Sequence, residues 1–320
     1  MDTVLKNRKR PPLVSVLMPV HNGMPYLPLA VNSILSQSFT DFEFIIVDDC
    51  SHDDTPRYLK SITDERIVLV ILPENKGVTG ALQEGMKCVN GKYVARLDAD
   101  DIAKPHRLQT QVDFLESNPK IGLLGSSIEL IDASGKLLSH VNLAKDDIEI
   151  RWRFLVKNPF FHSTVMFRHD LLGKHNLGYT LKHGEDYHLW VEMMRFCKGA
   201  ISAEELIQYR THQQSWTTTK GKEQERAFDE INGQILERYI PGLRKKIDVP
   251  NFVEWMRSPV RIRHNQTLFK DTYILLVNSF AETELDNNVR RTFIESKLRH
   301  VRDNSIWMKL KSVLNGKAHE

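Results

Sequence analysis

Four times in succession the chain reads as a buried strand, a short link and a helix, and this alternation constrains the fold more than any single residue. The strands are Leu13 to Met18, Phe42 to Val47, Ile67 to Leu72 and Tyr93 to Leu97. Each is a nearly continuous apolar run, the pattern of a strand covered on both faces. Between them lie helical periods. Leu27, Ala30, Val31, Ile34 and Leu35 share one face, and Val78, Ala81, Leu82, Gly85 and Met86 share another. Thr55-Pro56 starts a helix, with threonine as cap and proline at the first position. Such alternation predicts an α/β fold with a mostly parallel sheet and helices on both faces.

Every strand delivers polar residues to the same sheet edge. They are His21 and Asn22, then Asp48 and Asp49, then Asn75 and Lys76, then Asp98, Asp100 and Asp101. Ligands of open α/β sheets bind outside the carboxyl ends of the strands. Three carboxylates within four residues repel one another, and a divalent cation with a taste for oxygen, magnesium or manganese, relieves that. An acidic turn that is merely solvated is the plain alternative, and acidic turns are common. The first turn carries Pro19-Val20-His21-Asn22-Gly23 in place of Gly-x-Gly-x-x-Gly, and there is no P-loop. A nucleotide here would be held by side chains and by a metal at its phosphates.

Past residue 120 the alternation stops. Ile121 to Ile131 and Leu137 to Val141 read as a strand and its return around Asp132-Ala133-Ser134-Gly135, Asp146 to Leu155 as a helix, and Ser163 to Phe167 as strand-like. From Asp186, the residues Leu189, Trp190, Met193 and Cys197 follow at helical spacing, so Asp186 heads an apolar helix face. A carboxylate there is either a partner of the helix dipole or a base facing a cleft. Leu206 to Tyr209 reads as a short strand, with Arg210 to Trp216 returning to the sheet edge. Beyond Lys220 the apolar stripes are helical: Phe228, Ile231, Ile235, Leu236; Phe269, Tyr273, Leu276, Phe280; Ile294, Leu298, Val301; and Ile306 to Leu314. The expected divisions are a basic tail (1–12), a catalytic-size α/β domain (13–220) and a helical region (221–320).

Composition narrows the partners. A net charge of +3 over 320 residues gives no global case for nucleic acid. Three isolated cysteines, Cys50, Cys88 and Cys197, argue for a reducing compartment and against a zinc site or disulfide frame. No apolar run approaches the ~20 residues of a membrane span. Leu13 to Val20 follows a basic segment but lacks a signal-peptide cleavage pattern. A cytoplasmic protein is the expectation.

The ordered set Pro19-Val20-His21-Asn22, Val47-Asp48-Asp49, Asn75-Lys76-Gly77, Leu97-Asp98-Ala99-Asp100-Asp101, Glu185-Asp186-x-x-Leu189-Trp190 and Tyr209-Arg210-x-His212 resembles the family 2 glycosyltransferases. The resemblance spans Leu13 to Ser215 and implies the GT-A fold, a Rossmann-like, mostly parallel sheet flanked by helices, here with a C-terminal helical extension. It also implies a nucleotide-sugar donor. Pro19, His21 and Asn22 would line the base pocket, with His21 where the family often has tyrosine. Asp49 would accept from the uracil imide, Asn75 and Gly77 would sit by the nucleotide, and Arg96 by its base or ribose. Asp98 would contact ribose or metal. Asp100 would ligate Mn2+ or Mg2+, with His212 as a further ligand. Asp186 would be the base. Leu82 and Gln83 stand where relatives often carry arginine and asparagine.

The implied reaction transfers a sugar from a UDP-sugar to an acceptor hydroxyl with inversion, in surface polysaccharide or lipopolysaccharide synthesis. A glycan or a lipid-linked molecule is the implied acceptor. One base with direct displacement inverts the anomeric carbon, whereas retention by double displacement needs a placed nucleophile. Two other readings stand beside it: a nucleotidyltransferase making sugar nucleotides, and a non-catalytic nucleotide-sugar binding module. In the tail, Arg290, Arg291, Lys297, Arg299, Arg302, Lys309, Lys311 and Lys317 face three acids across apolar residues that include Trp307. Peripheral contact with the inner membrane face, a homodimer contact and packing on the catalytic domain all fit such amphipathic helices.

Overall fold

The computed structural model describes residues 10–212, 221–257 and 266–298. Lys6, Arg8 and Lys9, the stretch Gln213 to Trp216, and the tail from Arg299, with Val301 and Ile306 to Leu314, lie outside the described residues. The chain forms two compact units, Met1–Phe228 and Asp229–Glu320.

The first unit is built on a nine-stranded sheet in the order β3-β2-β1-β4-β8-β6-β9-β5, with β7 paired to β6. The strands are β1 (Val14–Val20), β2 (Phe42–Asp48), β3 (Ile67–Ile71), β4 (Tyr93–Arg96), β5 (Ile102–Ala103), β6 (Ile121–Ile131), β7 (Leu137–Val141), β8 (Met166–Arg168) and β9 (Lys198–Arg210). β3, β2, β1 and β4 are parallel, as the alternation requires. β8 then runs antiparallel between β4 and β6. The connecting helices are α1 (Leu27–Leu35), α2 (Thr55–Ser61), α3 (Gly77–Met86) and α4 (Arg107–Ser117). After β7 come α5 (Asp147–Arg153), α6 (Asp170–His175) and α7 (Glu185–Met193).

The core explains the apolar runs. Val14, Val16, Met18, Phe42, Phe44, Ile46, Tyr93 and Ala95 of the three central strands pack with Leu27, Ala30, Val31 and Ile34 of α1. On the other face α3 lies so close that a Cβ at Gly85 would meet Leu17 at 2.4 Å and Val47 at 2.9 Å. Only glycine permits that approach. Asp146 caps α5 by accepting the Glu149 N–H at 2.9 Å.

Several local expectations are corrected. β1 does not stop before Pro19 but runs through it to Val20, with Pro19 opposite Val47. Thr55 is inside α2 and does not cap it. Its hydroxyl accepts the Gly23 N–H at 2.8 Å, stitching the turn after β1 to α2. α4 begins at Arg107, two residues beyond Pro105. Its Leu108 N–H is taken by the Gln37 side chain at 3.0 Å. Ser163 lies in a short 3-10 turn ahead of β8. The short strand at Leu206 is the end of a 13-residue β9, parallel to β6 and antiparallel to β5. α7 ends at Met193, so Cys197 lies beyond it.

The second unit is helical: α8 (Gly221–Tyr239, from Asp229 onward), α9 (Val249–Arg257), α10 (Gln266–Glu284) and α11 (Asn287–Leu298). The stripes read from the sequence form its core. Ile231, Ile235, Leu236, Leu276, Phe280, Ile294 and Leu298 are buried. Phe280 lies 5.3 Å from the Tyr239 ring and 5.3 Å from that of Phe293. No described helix is long and apolar enough to cross a membrane.

Candidate active site

The carboxyl ends of β1, β2 and β4 are neighbours, so the sheet itself gathers the turns that follow them. At β1 and β2, the His21 Nδ1 lies 2.8 Å from the Asp49 carbonyl. The Asn22 side chain accepts the His52 N–H at 2.8 Å, and its own N–H goes to the Ser51 hydroxyl. Asn22 has φ 52°, a left-handed turn that asparagine tolerates better than most residues. The Asp49 carboxylate, 3% exposed, accepts the Lys76 N–H at 2.7 Å. Asn75 donates to the Asp49 carbonyl at 3.3 Å and accepts from Gly77 N–H at 3.1 Å. Thus His21, Asn22, Asp49, Asn75 and Gly77 form one bonded cluster at the end of β2, with Pro19 in β1 beside it.

The second cluster is the acidic loop after β4. Arg96 lies beneath this loop, not in the open cleft. It is fully buried, and its guanidinium donates to the Leu17 and Leu97 carbonyls, to His162 Nε2 at 2.9 Å and to Asp98 at 2.5 Å. Its bond to Asp98 ties it to the acidic loop, and its charge also acts on Asp186. The Ser163 hydroxyl holds the other Asp98 oxygen at 2.9 Å. Since His162 Nε2 accepts from Arg96, the ring proton sits on Nδ1 and the imidazole is neutral. Burial first, then the Arg96 charge, pushes its pKa well below the ordinary value. The Tyr179 hydroxyl sits 3.2 Å from the same nitrogen.

Asp100 faces outward from this support. Its Oδ2 lies 2.9 Å from His212 Nε2, and its carbonyl accepts Arg210 Nε at 2.8 Å. Arg210 in turn lies over the Tyr26 ring at 4.7 Å, and the Tyr26 and His212 rings are 4.9 Å apart. Asp101 points the other way. It is buried and accepts the Arg210 N–H at 2.8 Å, which fastens the loop to β9. Burial, then the neighbouring Asp98, raises the Asp100 carboxyl; burial, then Asp100, raises that of Asp101 further.

Asp186 sits in the first turn of α7, which Gly184 enters with φ 68°. One carboxylate oxygen accepts the Tyr187 N–H at 2.7 Å and the other the Asn158 amide at 2.9 Å. Burial raises its pKa to about 6, and the Asp98 charge adds to that. Its buried neighbour Glu185 is pushed up to about 8, by burial first and then by Asp186. Carboxylates thus crowd this region, with the buried guanidiniums of Arg96, Arg107 and Arg210 among them.

That crowding is one test of whether a divalent cation fits. A second is the Asp100 and His212 pair. Their atoms are joined by a hydrogen bond at 2.9 Å, which a cation held by both residues would replace. Carboxylate oxygens suit manganese or magnesium, whereas an imidazole is a transition-metal donor and, of those two, goes with manganese. Among the described residues a different group, Glu129, His140 and Glu205, brings three ligand atoms within 4.8 Å of one another. There Lys104 already sits 2.7 Å from Glu129, so that group is an ion-pair network on the sheet surface.

The sequence profile of Glycosyl transferase family 2 matches residues 15–175, half the chain and both clusters up to Tyr93–Asp101 and His162. This chain is a family 2 glycosyltransferase. An uncharacterized glycosyltransferase of Haemophilus influenzae is 31% identical over 257 residues, covering 76% of this chain and 79% of that one. The Escherichia coli UDP-Glc:alpha-D-GlcNAc-diphosphoundecaprenol beta-1,3-glucosyltransferase WfgD is 29% identical over 228 residues, 70% of this chain and 87% of its own. Among solved structures, S. aureus TarS 1-349 in complex with UDP-GlcNAc superposes with TM-score 0.61 at 14% identity, over 89% of this chain and 87% of that one. The fold is therefore GT-A, and the glycosyltransferase class displaces the nucleotidyltransferase and binding-module readings. Sequence reasoning missed Asn158, His162, Ser163 and Tyr179. They lie in the irregular stretch between α5 and α7, where no periodicity marks a residue as pointing at the site.

Proposed function

We propose that this glycosyltransferase is inverting and metal-dependent, and moves a sugar from a UDP-sugar to an acceptor hydroxyl in bacterial surface polysaccharide synthesis. The observation that carries the reading is Asp186, a carboxylate raised to about 6 and held on both oxygens within electrostatic reach of the acidic loop. A base works best when its pKa lies near the operating pH. In the reaction, the acceptor oxygen forms its bond to the anomeric carbon while the bond from that carbon to the diphosphate breaks. The acceptor proton passes to Asp186, and UDP leaves.

The nucleotide would lie over the His21, Asn22, Asp49, Asn75 and Gly77 cluster, with Pro19 beside it. Asp49 would accept from the uracil imide, since a carboxylate suits a donor N–H. Asp100 and His212, with Asp98, would hold Mn2+ or Mg2+. A bound divalent cation offsets the negative charge that grows on the leaving diphosphate. Arg96 and Ser163 fix Asp98, and Arg210 fixes the loop that carries Asp100. UDP as carrier, and a lipid-linked glycan as acceptor, are supported by the name of the E. coli relative. Such an acceptor would draw the enzyme to the cytoplasmic membrane face, where the basic C-terminal region would serve as a peripheral contact.

The experiment is UDP release from a panel of UDP-sugars with a diphosphoundecaprenol-linked acceptor, with Mn2+ and with chelator. Proton NMR of the first product reads the anomeric configuration. Inverted product formed only with metal supports the proposal. Retained configuration, or full turnover in excess chelator, contradicts it.

A further inference from the structure

Asn158 lies on neither of the two clusters and in no motif of the ordered set, yet it is bonded to the carboxylate that matters most. Its Nδ2 donates to Asp186 Oδ2 at 2.9 Å, across 28 residues of sequence. Its Oδ1 accepts the Phe160 N–H at 3.1 Å. These two bonds settle which way the amide points. Turned over, it would set an oxygen against a carboxylate and an NH2 against an N–H, losing both bonds.

The turn that carries Asn158 is itself held. Pro159 restricts the backbone of the residue before it to extended conformations. Phe160, 5% exposed, packs against Gly125 of β6, where a Cβ would meet its ring at 2.7 Å. It also packs against Phe154 at 6.0 Å between ring centres. On the other side, the Tyr187 N–H fixes Asp186 Oδ1 from α7. Asp186 is thus gripped from two elements, and only the grip from Asn158 is a side chain that mutation can alter without touching α7.

We propose that Asn158 is a positioning residue for the base, its amide N–H fixing the orientation of the Asp186 carboxylate toward the acceptor. The inference rests on Asp186 being the base. A donor on a carboxylate also favours the charged form. The other groups that act on Asp186 are Glu185 on α7, Arg96 on β4, Asp98 on the acidic loop and Tyr179 on the segment before α7. Burial and the Asp98 charge oppose its ionisation, while Arg96 and the two hydrogen bonds favour it; Glu185, raised to about 8, is still neutral when Asp186 titrates. Removing one bond therefore moves the titration upward.

The test is the pH dependence of kcat for wild type, Asn158→Ala and Asn158→Asp, with KM for the donor and melting temperature alongside. Asn158→Ala decides between roles, because it removes the donor to Asp186 without adding a charge; Asn158→Asp keeps an acceptor for the Phe160 N–H but sets a second carboxylate against Asp186. A hydrogen bond to a charged group is worth roughly one pH unit of titration. Asn158→Ala should shift the acid limb up by about that much and Asn158→Asp by more, and kcat near neutral pH should fall about tenfold in Asn158→Ala with donor KM little changed. In an Asp186→Asn background, Asn158→Ala should cost nothing further. An acid limb that stays at the wild-type position in Asn158→Ala overturns the inference, whatever happens to stability. Wild-type turnover by Asp186→Asn alone overturns the base assignment, and is seen without any Asn158 variant.

Discussion

Asp98 and Ser163, 65 positions apart in sequence, are bonded twice: the serine hydroxyl donates to Asp98 Oδ2 at 2.9 Å and accepts the Asp98 N–H at 3.0 Å. The turn ahead of β8 thereby sets both the backbone and the side chain of the first aspartate in the acidic loop. Ser163→Ala leaves one carboxylate oxygen and one N–H without that partner. Stability should fall by about 1–3 kcal/mol, the usual cost of stranding such groups. Because Asp98 is then held by Arg96 alone, manganese affinity should fall as well. Denaturant melts and calorimetry with Mn2+ check this, and a variant unchanged in both shows the double bond to be incidental.

Glu185 gives a stability prediction with a definite sign. Its folded pKa of about 8 lies above the ordinary 4.5. For a group raised in this way, the stabilising contribution is complete below the ordinary value and is lost as pH rises through the folded one. Wild type should therefore lose stability between about pH 5 and pH 9, with Asp186 adding to the loss in the lower part of that window. Glu185→Gln removes the charge that must be buried, and should be the more stable protein at about pH 9, by a few kcal/mol, with little gain at about pH 5. Melting curves of both proteins across that range provide the comparison. Parallel curves would mean that Glu185 ionises freely in the fold.

Much of this architecture was legible in the sequence because burial writes itself into composition. The apolar runs from Val14 to Ile71 and the stripe through Leu27, Val31 and Ile34 are dictated by a two-sided sheet and its helices. The positions of Asp49, Asp98 and Asp100 followed, because they sit directly after strands whose ends the fold brings together. Three kinds of feature were not legible. Arg96 reads as one more polar residue at a strand end, and only its fourfold bonding shows that it is structural support. β9 alternates weakly, since Ser202, Glu204 and Glu205 interrupt it where it shifts register against β6. The contacts of Asn158 and Ser163 join residues distant in sequence, in segments without a period, so no local pattern announces them.

The nucleotide cluster yields a binding prediction. Asp49 is buried, with one oxygen taken by the Lys76 N–H. Asp49→Ala should weaken UDP binding by about 10–100-fold, the loss of one or two charge-assisted hydrogen bonds, and should narrow the preference for UDP over GDP. Asp49→Asn, which can turn an amide toward either neighbour, should fall in between. Calorimetry with both nucleotides decides. Wild type that binds GDP more tightly than UDP contradicts the assignment of uracil.

The C-terminal helices make a prediction about membranes. Ile294 and Leu298 of α11 are buried, and Phe293 stacks on Phe280, so a cut within α11 would damage the second unit. A chain ending at Leu298 keeps that core and removes Arg299, Arg302, Lys309, Lys311 and Lys317. Each cation near an anionic surface contributes about 1 kcal/mol at low salt. The full chain should float with liposomes that contain anionic lipid, the shortened one much less, and salt should release the full chain. Equal flotation of both, or of neither, removes the tail from a membrane role.

The central claim is that Asp186 takes the acceptor proton. Asp186→Asn keeps the shape of the side chain and leaves an acceptor for the Tyr187 N–H, but cannot hold the proton. Single-turnover kinetics with a saturating UDP-sugar, Mn2+ and acceptor measure the loss directly, with donor affinity from calorimetry on the same samples. The account predicts donor binding close to wild type and a transfer rate lower by about 10²–10⁴-fold, the usual contribution of a general base. It also predicts that the wild-type rate declines as pH falls through about 6, the value to which burial raises this carboxyl. A variant that transfers sugar at the wild-type rate contradicts the account and leaves Asp186 as no more than a first-turn partner of α7.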